Sequence, residues 1–299
     1  MSLKFALGVA VVAVAGVLAI VSRPVGAGDP PDKDYAKLMQ EKAASVVTVK
    51  SVIKVSWSGG ERERNDERIG AIVDPAGVIM MQNWLGTQMS ASYKVSPMSI
   101  RVLFEGDEKE YDAVLGALDS KLGLAFIRVK DLAGKKLTAV NLADSVETTL
   151  GDEVFGVLRT DEGFDYAPYF GTGRIVGQVT KPRAMWLLTG FAPVGHPMYT
   201  PEGKVTGVVV RQSGISEEGS GERTFLLPVK TVSLVVNQAI KASAKALEDA
   251  KVHEAEAAAM ADAPAMGDAS PPGMGDAPAP GMGEEPAPGM GEVPAGMDR

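Results

Sequence analysis

Cysteine is missing altogether from the 299 residues. That excludes disulfide staples, thiol nucleophiles and cysteine-ligated zinc. Histidine is nearly missing too. Only His196 and His253 occur, with no H-x-x-x-H spacing, so a zinc site would need carboxylates for most of its ligands and no metal or other cofactor is expected. A basic excess is also lacking, since 30 Lys and Arg face 38 Asp and Glu for a net charge of −8. The electrostatic footprint of a nucleic-acid binder is therefore absent. The acidity is local: residues 261–299 hold seven carboxylates against one Arg, and the rest of the chain is close to balanced.

What is present begins with an export pattern. Lys4 precedes an apolar run over 5–21, then Pro24 and the small-residue site Val25-Gly26-Ala27. The run is slightly longer than the ~7–15 residues of a signal peptide core and slightly shorter than the ~20 of a spanning helix. The Val-x-Ala pattern favours cleavage after Ala27, with a retained membrane anchor as the alternative. Either way the bulk of the chain is expected outside the cytoplasm, periplasmic or secreted, with membrane attachment only if the segment stays. A Pro/Asp-containing linker follows over 28–35.

Tyr35, Leu38 and Met39 share a helical spacing within 34–44. From 45 to about 227 short β-rich segments alternate with Gly, Pro and Asp, which predicts an all-β sandwich or barrel pair. Residues 57–65 and 212–222 are polar and Gly-containing and read as surface loops. Val232, Val235, Val236, Ala239, Ile240 and Ala246 form a stripe that predicts a helix over 230–260, its second half projecting or fraying as the apolar content falls to Ala. Beyond 261, Pro-Gly-Met-Gly recurs at an interval of eight, and too little apolar volume is present to offset ordering entropy, so this tail is expected to be disordered. Its methionine thioethers suit Cu(I), but they are widely spaced; a flexible acidic spacer is the simpler reading.

Three segments carry a resemblance. They are Gly77-Val-Ile-Met-Met-Gln-Asn-Trp-Leu85, then Gly123-Leu-Ala-Phe-Ile127, then Ala192-Pro-Val-Gly-His-Pro197 followed by Glu202-Gly-Lys-Val-Thr-Gly207. In order and interval they resemble the trypsin-like domain of HtrA (Deg) serine proteases, closed by Leu226-Leu-Pro-Val-Lys230 into a helix. The resemblance covers about 36–240 and implies two six-stranded β-barrels packed together, with an extended helix over 241–260 and the tail over 261–299. No PDZ-type segment follows, which departs from the common HtrA layout. At the positions where the family places its His, Asp and Ser, this chain has Trp84, Gly123 and Val194. Indole N–H cannot take up a proton, glycine has no carboxylate and valine has no nucleophilic atom. Pro193 and His196 replace further residues around the nucleophile position, which puts oxyanion geometry in doubt. Asp119 matches a different family Asp and is no substitute.

The resemblance therefore implies a catalytically inactive homologue that acts by binding a protein or peptide. An active protease homologue and an unfolded envelope protein are the two partners considered, and homo-oligomers are open because HtrA-type domains often form trimers. The alternatives are a serine-type endopeptidase of unusual site with His196 as its base, and an envelope structural protein whose helix and tail carry the role. Trp84 either fills the hollow left by a lost histidine or anchors a bound peptide. A lone histidine such as His196 is most often an ordinary loop residue.

Overall fold

The computed structural model describes residues 35–84, 88–90, 92–190, 193–216 and 219–261. The expected signal segment, most of the linker and the acidic tail lie outside them. Among the described residues thirteen strands make up two closed antiparallel barrels of six and one short edge strand, in keeping with the all-β reading. The first contains β1 (Val46–Trp57), β2 (Gly60–Asp74), β3 (Val78–Gln82), β5 (Tyr93–Leu103), β6 (Glu110–Asp119) and β7 (Leu124–Val129). Its order is β1-β2-β3-β7-β6-β5, β1 pairs back to β5, and the short β4 (Gln88–Ser90) extends the β5 edge. The second contains β8 (Glu153–Arg159), β9 (Pro168–Val179), β10 (Met185–Gly190), β11 (Pro197–Tyr199), β12 (Val205–Ser216) and β13 (Gly219–Pro228), closed in the order β10-β13-β12-β11-β8-β9. Helix α1 (Tyr35–Ala43) precedes the barrels and α2 (Val229–Ala261) follows them.

Period-2 alternation explains why these segments pack as they do. On β3, Ile79 and Met81 point into the first barrel, while Val78 and Met80 point out of it. On β7, Ala125 and Ile127 point in and Leu124 and Phe126 out. The outward set does not meet water. It packs on Val208 and Val210 of β12 and on Val232, Val236 and Ala239 of α2. Strands buried on both faces read as unbroken apolar runs, which is why Val-Ile-Met-Met and Leu-Ala-Phe-Ile are so conspicuous. Each fully buried side chain of this size contributes about 1.5–3 kcal/mol. Val209, between the two outward residues of β12, faces the interior of the second barrel with Val154, Ile175, Met198 and Leu226.

Helix α2 starts directly from β13 and runs unbroken past residue 240. It seats on β6 at Gly116, where a Cβ would overlap the buried Ser243. Lys130 pairs with Glu254 further along. No helix among the described residues is long and apolar enough to cross a membrane.

Two expectations are overturned. Residues 57–65, and the described residues of 212–222, are not loops but the ends of long hairpins, paired out to Trp57↔Gly60 and Ser216↔Gly219. The first of these ends carries no apolar alternation because it extends past the barrel: residues 60–65 are exposed without exception. There the backbone ladder and cross-strand charges such as Lys54 with Glu61 hold the strands, and neither leaves a hydrophobic pattern to read.

Candidate functional site

The three segments singled out above converge where the barrels face each other. The Asn83 N–H, one residue before Trp84, donates to the Gly123 carbonyl at 2.7 Å. Gly195, one residue after Val194, lies so close to the backbone of Met81 and Gln82 that a Cβ would overlap it. The Arg211 N–H of β12 donates to the Leu122 carbonyl at 3.2 Å. The end of β3, the β6–β7 turn and the turn before β11 are therefore one neighbourhood.

Each turn has a local cause. Asp119 Oδ1 accepts the backbone N–H groups of Lys121 and Leu122, both at 3.0 Å, which shapes the β6–β7 connection. Asp119 is thus a turn-forming residue. Gly123 closes that turn with φ +67°, in the left-handed region, and a Cβ there would meet the Arg211 Cβ at 3.3 Å. The turn at 193–196 is pinned to β12: Gly195 N–H donates to Val209 O at 2.8 Å and Val209 N–H to His196 O at 2.9 Å. Gly195 itself has φ +87°.

The side chains at these points differ in kind. Val194 is buried and belongs to the interior of the second barrel, against Met198, Val209 and Leu226. Trp84 is half-buried and packs on the core of the first barrel. The Arg68 guanidinium stands over its ring at 5.6 Å, a contact worth about 0.5–1 kcal/mol at such sites. The two residues thus serve different cores.

His196 is 1% exposed, and neither ring nitrogen has a hydrogen-bond partner among the described residues. Burial pushes its pKa down to about 4, opposed only by the nearby Ile69 backbone. The ring is therefore neutral at ordinary pH, with no described hydroxyl in hydrogen-bonding reach of its nitrogens. His253, the other histidine, lies on the exposed second half of α2.

Two residues assigned no role from the sequence join the neighbourhood. Asn83 Oδ1 and Gln212 Oε1 are buried acceptors without partners among the described residues, as is the donor Trp84 Nε1–H. Asn83 adjoins Trp84 in the first segment, so its position was legible; Gln212 was concealed in what looked like a loop. Trp84, Gly123 and Val194 supply no base, no carboxylate and no nucleophile. The unpaired amide oxygens and indole N–H are themselves buried, while the Trp84 side chain keeps partial exposure. No group of three or more His, Asp or Glu among the described residues is placed to hold a metal ion.

No protein-family model matches the chain, and no curated protein matches it. Solved structures do match. One is an HtrA-type protease, AlgW, with a decapeptide: TM-score 0.51, 18% sequence identity, covering 70% of this chain and 67% of that one. The likeness establishes the trypsin-like double-barrel fold.

Proposed function

We propose that this chain is an exported HtrA-like pseudoprotease, one that binds protein or peptide partners rather than cleaving them. The observation that carries the reading is the meeting of Trp84, Gly123 and Val194 at the barrel interface, a shared location with none of the three chemical groups that acyl transfer needs. Val194 supports it further, because a side chain packed into a barrel interior is not presented to any substrate. Trp84 is only half-buried, so part of its side chain remains exposed at the interface as a surface for a bound peptide. The AlgW structure was solved with a decapeptide, which favours a peptide as the occupant here. Export rests on Lys4, the apolar run behind it and the Val25-Gly26-Ala27 site. The partner is a protein of the same compartment, an active homologue or an unfolded envelope protein.

A direct test mixes the chain with a fluorescently labelled, permanently unfolded polypeptide and follows anisotropy and fragment pattern together. The expected result is saturable binding with the polypeptide intact. Absence of any binding to unfolded polypeptide, folded homologue or short peptide would remove the reading.

A further inference from the structure

A second open feature adjoins the barrel interface, the free edge of β2. One edge of this strand pairs with β1 from Gly60 to Ala71. The other pairs with β3 only from Gly70 onward, and among the described residues no strand pairs with it between Gly60 and Ile69. The His196 ring stands near the Ile69 backbone, so the open stretch runs from Gly60 to Arg68. Its inner end lies beside Trp84, because the Arg68 guanidinium stands over that ring. An unpaired edge presents N–H and C=O groups without partners in the sheet, a template on which a further strand can form.

The side chains along this stretch are sorted by sign. The period of two puts Arg62, Arg64, Asp66 and Arg68 on the face that continues the barrel interior, opposite Val55, Ile53, Ser51 and Val49 of β1. Glu61, Glu63 and Glu67 occupy the other face. The two faces are not equally balanced. On the glutamate side Lys54 and Lys50 of β1 stand directly opposite Glu63 and Glu67, and Lys54 also pairs with Glu61. On the arginine side β1 offers only uncharged side chains. Asp66 there serves two guanidiniums, accepting from Arg64 at 3.3 Å and from Arg68 at 2.8 Å. Arg62, Arg64 and Arg68 are all exposed. Three guanidiniums to one carboxylate leave an excess of positive charge on one face of an open edge.

Charges on an edge discourage indiscriminate pairing, and charges sorted by face also choose the partner. A strand from a second copy, laid antiparallel about a two-fold axis, would bring even-numbered residues opposite even-numbered ones. Arginine would then face arginine and glutamate face glutamate, which is destabilising. A strand with carboxylates at every second position meets the arginines instead, and its other residues lie on the face that the lysines of β1 already balance. We propose that the free edge of β2 accepts an extended segment of a partner protein as an added strand, its carboxylates at alternate positions beside Arg62, Arg64 and Arg68. The added strand continues the sheet where β3 leaves it and ends beside Trp84. This rests on the reading that the chain binds extended polypeptide, and it names the chemistry of that polypeptide.

The test is a ¹H–¹⁵N NMR titration of the full chain with three peptides. They are acetyl-Thr-Glu-Thr-Glu-Thr-Glu-Thr-amide, its counterpart with lysine in place of glutamate, and the acidic peptide with every backbone nitrogen methylated, which cannot donate to a sheet. Saturable shifts over Gly60 to Arg68, with slowed exchange of amides along that edge, are expected for the first peptide and not for the other two. Arg62→Glu combined with Arg64→Glu should weaken the acidic peptide roughly tenfold, as two attractive cross-strand pairs become repulsive. Both side chains are exposed, so the variant should fold, and its own spectrum checks that. No saturable shift with the acidic peptide overturns the proposal. An equal response to the lysine peptide, or affinity unchanged in the folded double variant, overturns it too. Equal binding of the methylated peptide would mean a charge contact without an added strand and is likewise fatal. The labelled unfolded polypeptide, titrated in parallel, separates this edge from the broader reading. If that polypeptide binds while the acidic peptide does not, only the assignment of the β2 edge falls; if neither binds, both fall.

Discussion

The two barrels close their facing ends in opposite ways. The first ends in Trp84, half-buried, its indole N–H without a partner among the described residues and the Arg68 guanidinium over its ring. The second is filled at the matching point by Val194, buried among aliphatic side chains. Both side chains are largely apolar, but Val194 is buried whereas Trp84 keeps part of its surface exposed. The first barrel's end keeps exposed side-chain surface. The second barrel's end is core.

The sharpest way to break this contrast is to put a carboxylate at each point. Val194→Asp would bury an unpaired charge and should cost about 4 kcal/mol or more, enough to leave little folded protein. Trp84→Asp should cost about half as much, since the half-buried site admits water to the new group. Urea denaturation of both variants checks it, and equal losses would abolish the distinction drawn here.

His196 sharpens the same contrast through pH, because it too sits on the sealed side. In the unfolded chain an ordinary histidine takes up a proton below about 6.5, whereas the folded one resists until about 4. Between those values the unfolded state binds the extra proton, so stability falls as pH falls through this window. The loss should be roughly 3 kcal/mol at the acid end. Carboxylates titrate there as well, so the quantity to measure is the difference between wild type and His196→Leu. Parallel pH profiles would mean that the ring reaches solvent.

Gly123 gives the smallest effect. Its φ of +67° and the close Arg211 Cβ should make Gly123→Ala destabilising by about 1–2 kcal/mol. Gly106, which has φ +71° and open space around it, should lose only the backbone part of that when changed to Ala. The comparison separates backbone conformation from crowding at the interface.

How far the sequence could be read follows the same physics. β3 and β7 were legible because burial on both faces leaves continuous apolar text, and α2 because one face of it packs on the barrels. The tip of the β1–β2 hairpin was illegible, since strands with both faces in water carry charges and no alternation. Trp84, Gly123 and Val194 could be located by interval, yet which core each serves could not, because that depends on the facing of turns. The seat of Arg159 was out of reach altogether. Its side chain is buried through hydrogen bonds to residues 113 and 116 positions away in the chain, and nothing local marks such a contact.

The central claim is that binding has survived where cleavage has not. It is tested most directly by incubating the full chain, and separately its His196→Ala variant, with a fluorogenic unfolded protein substrate at high enzyme concentration. The account predicts no cleavage by either, with any trace activity equal in the two samples and therefore contaminant. Cleavage by the wild-type chain that disappears in folded His196→Ala would contradict it and establish a protease built around that histidine.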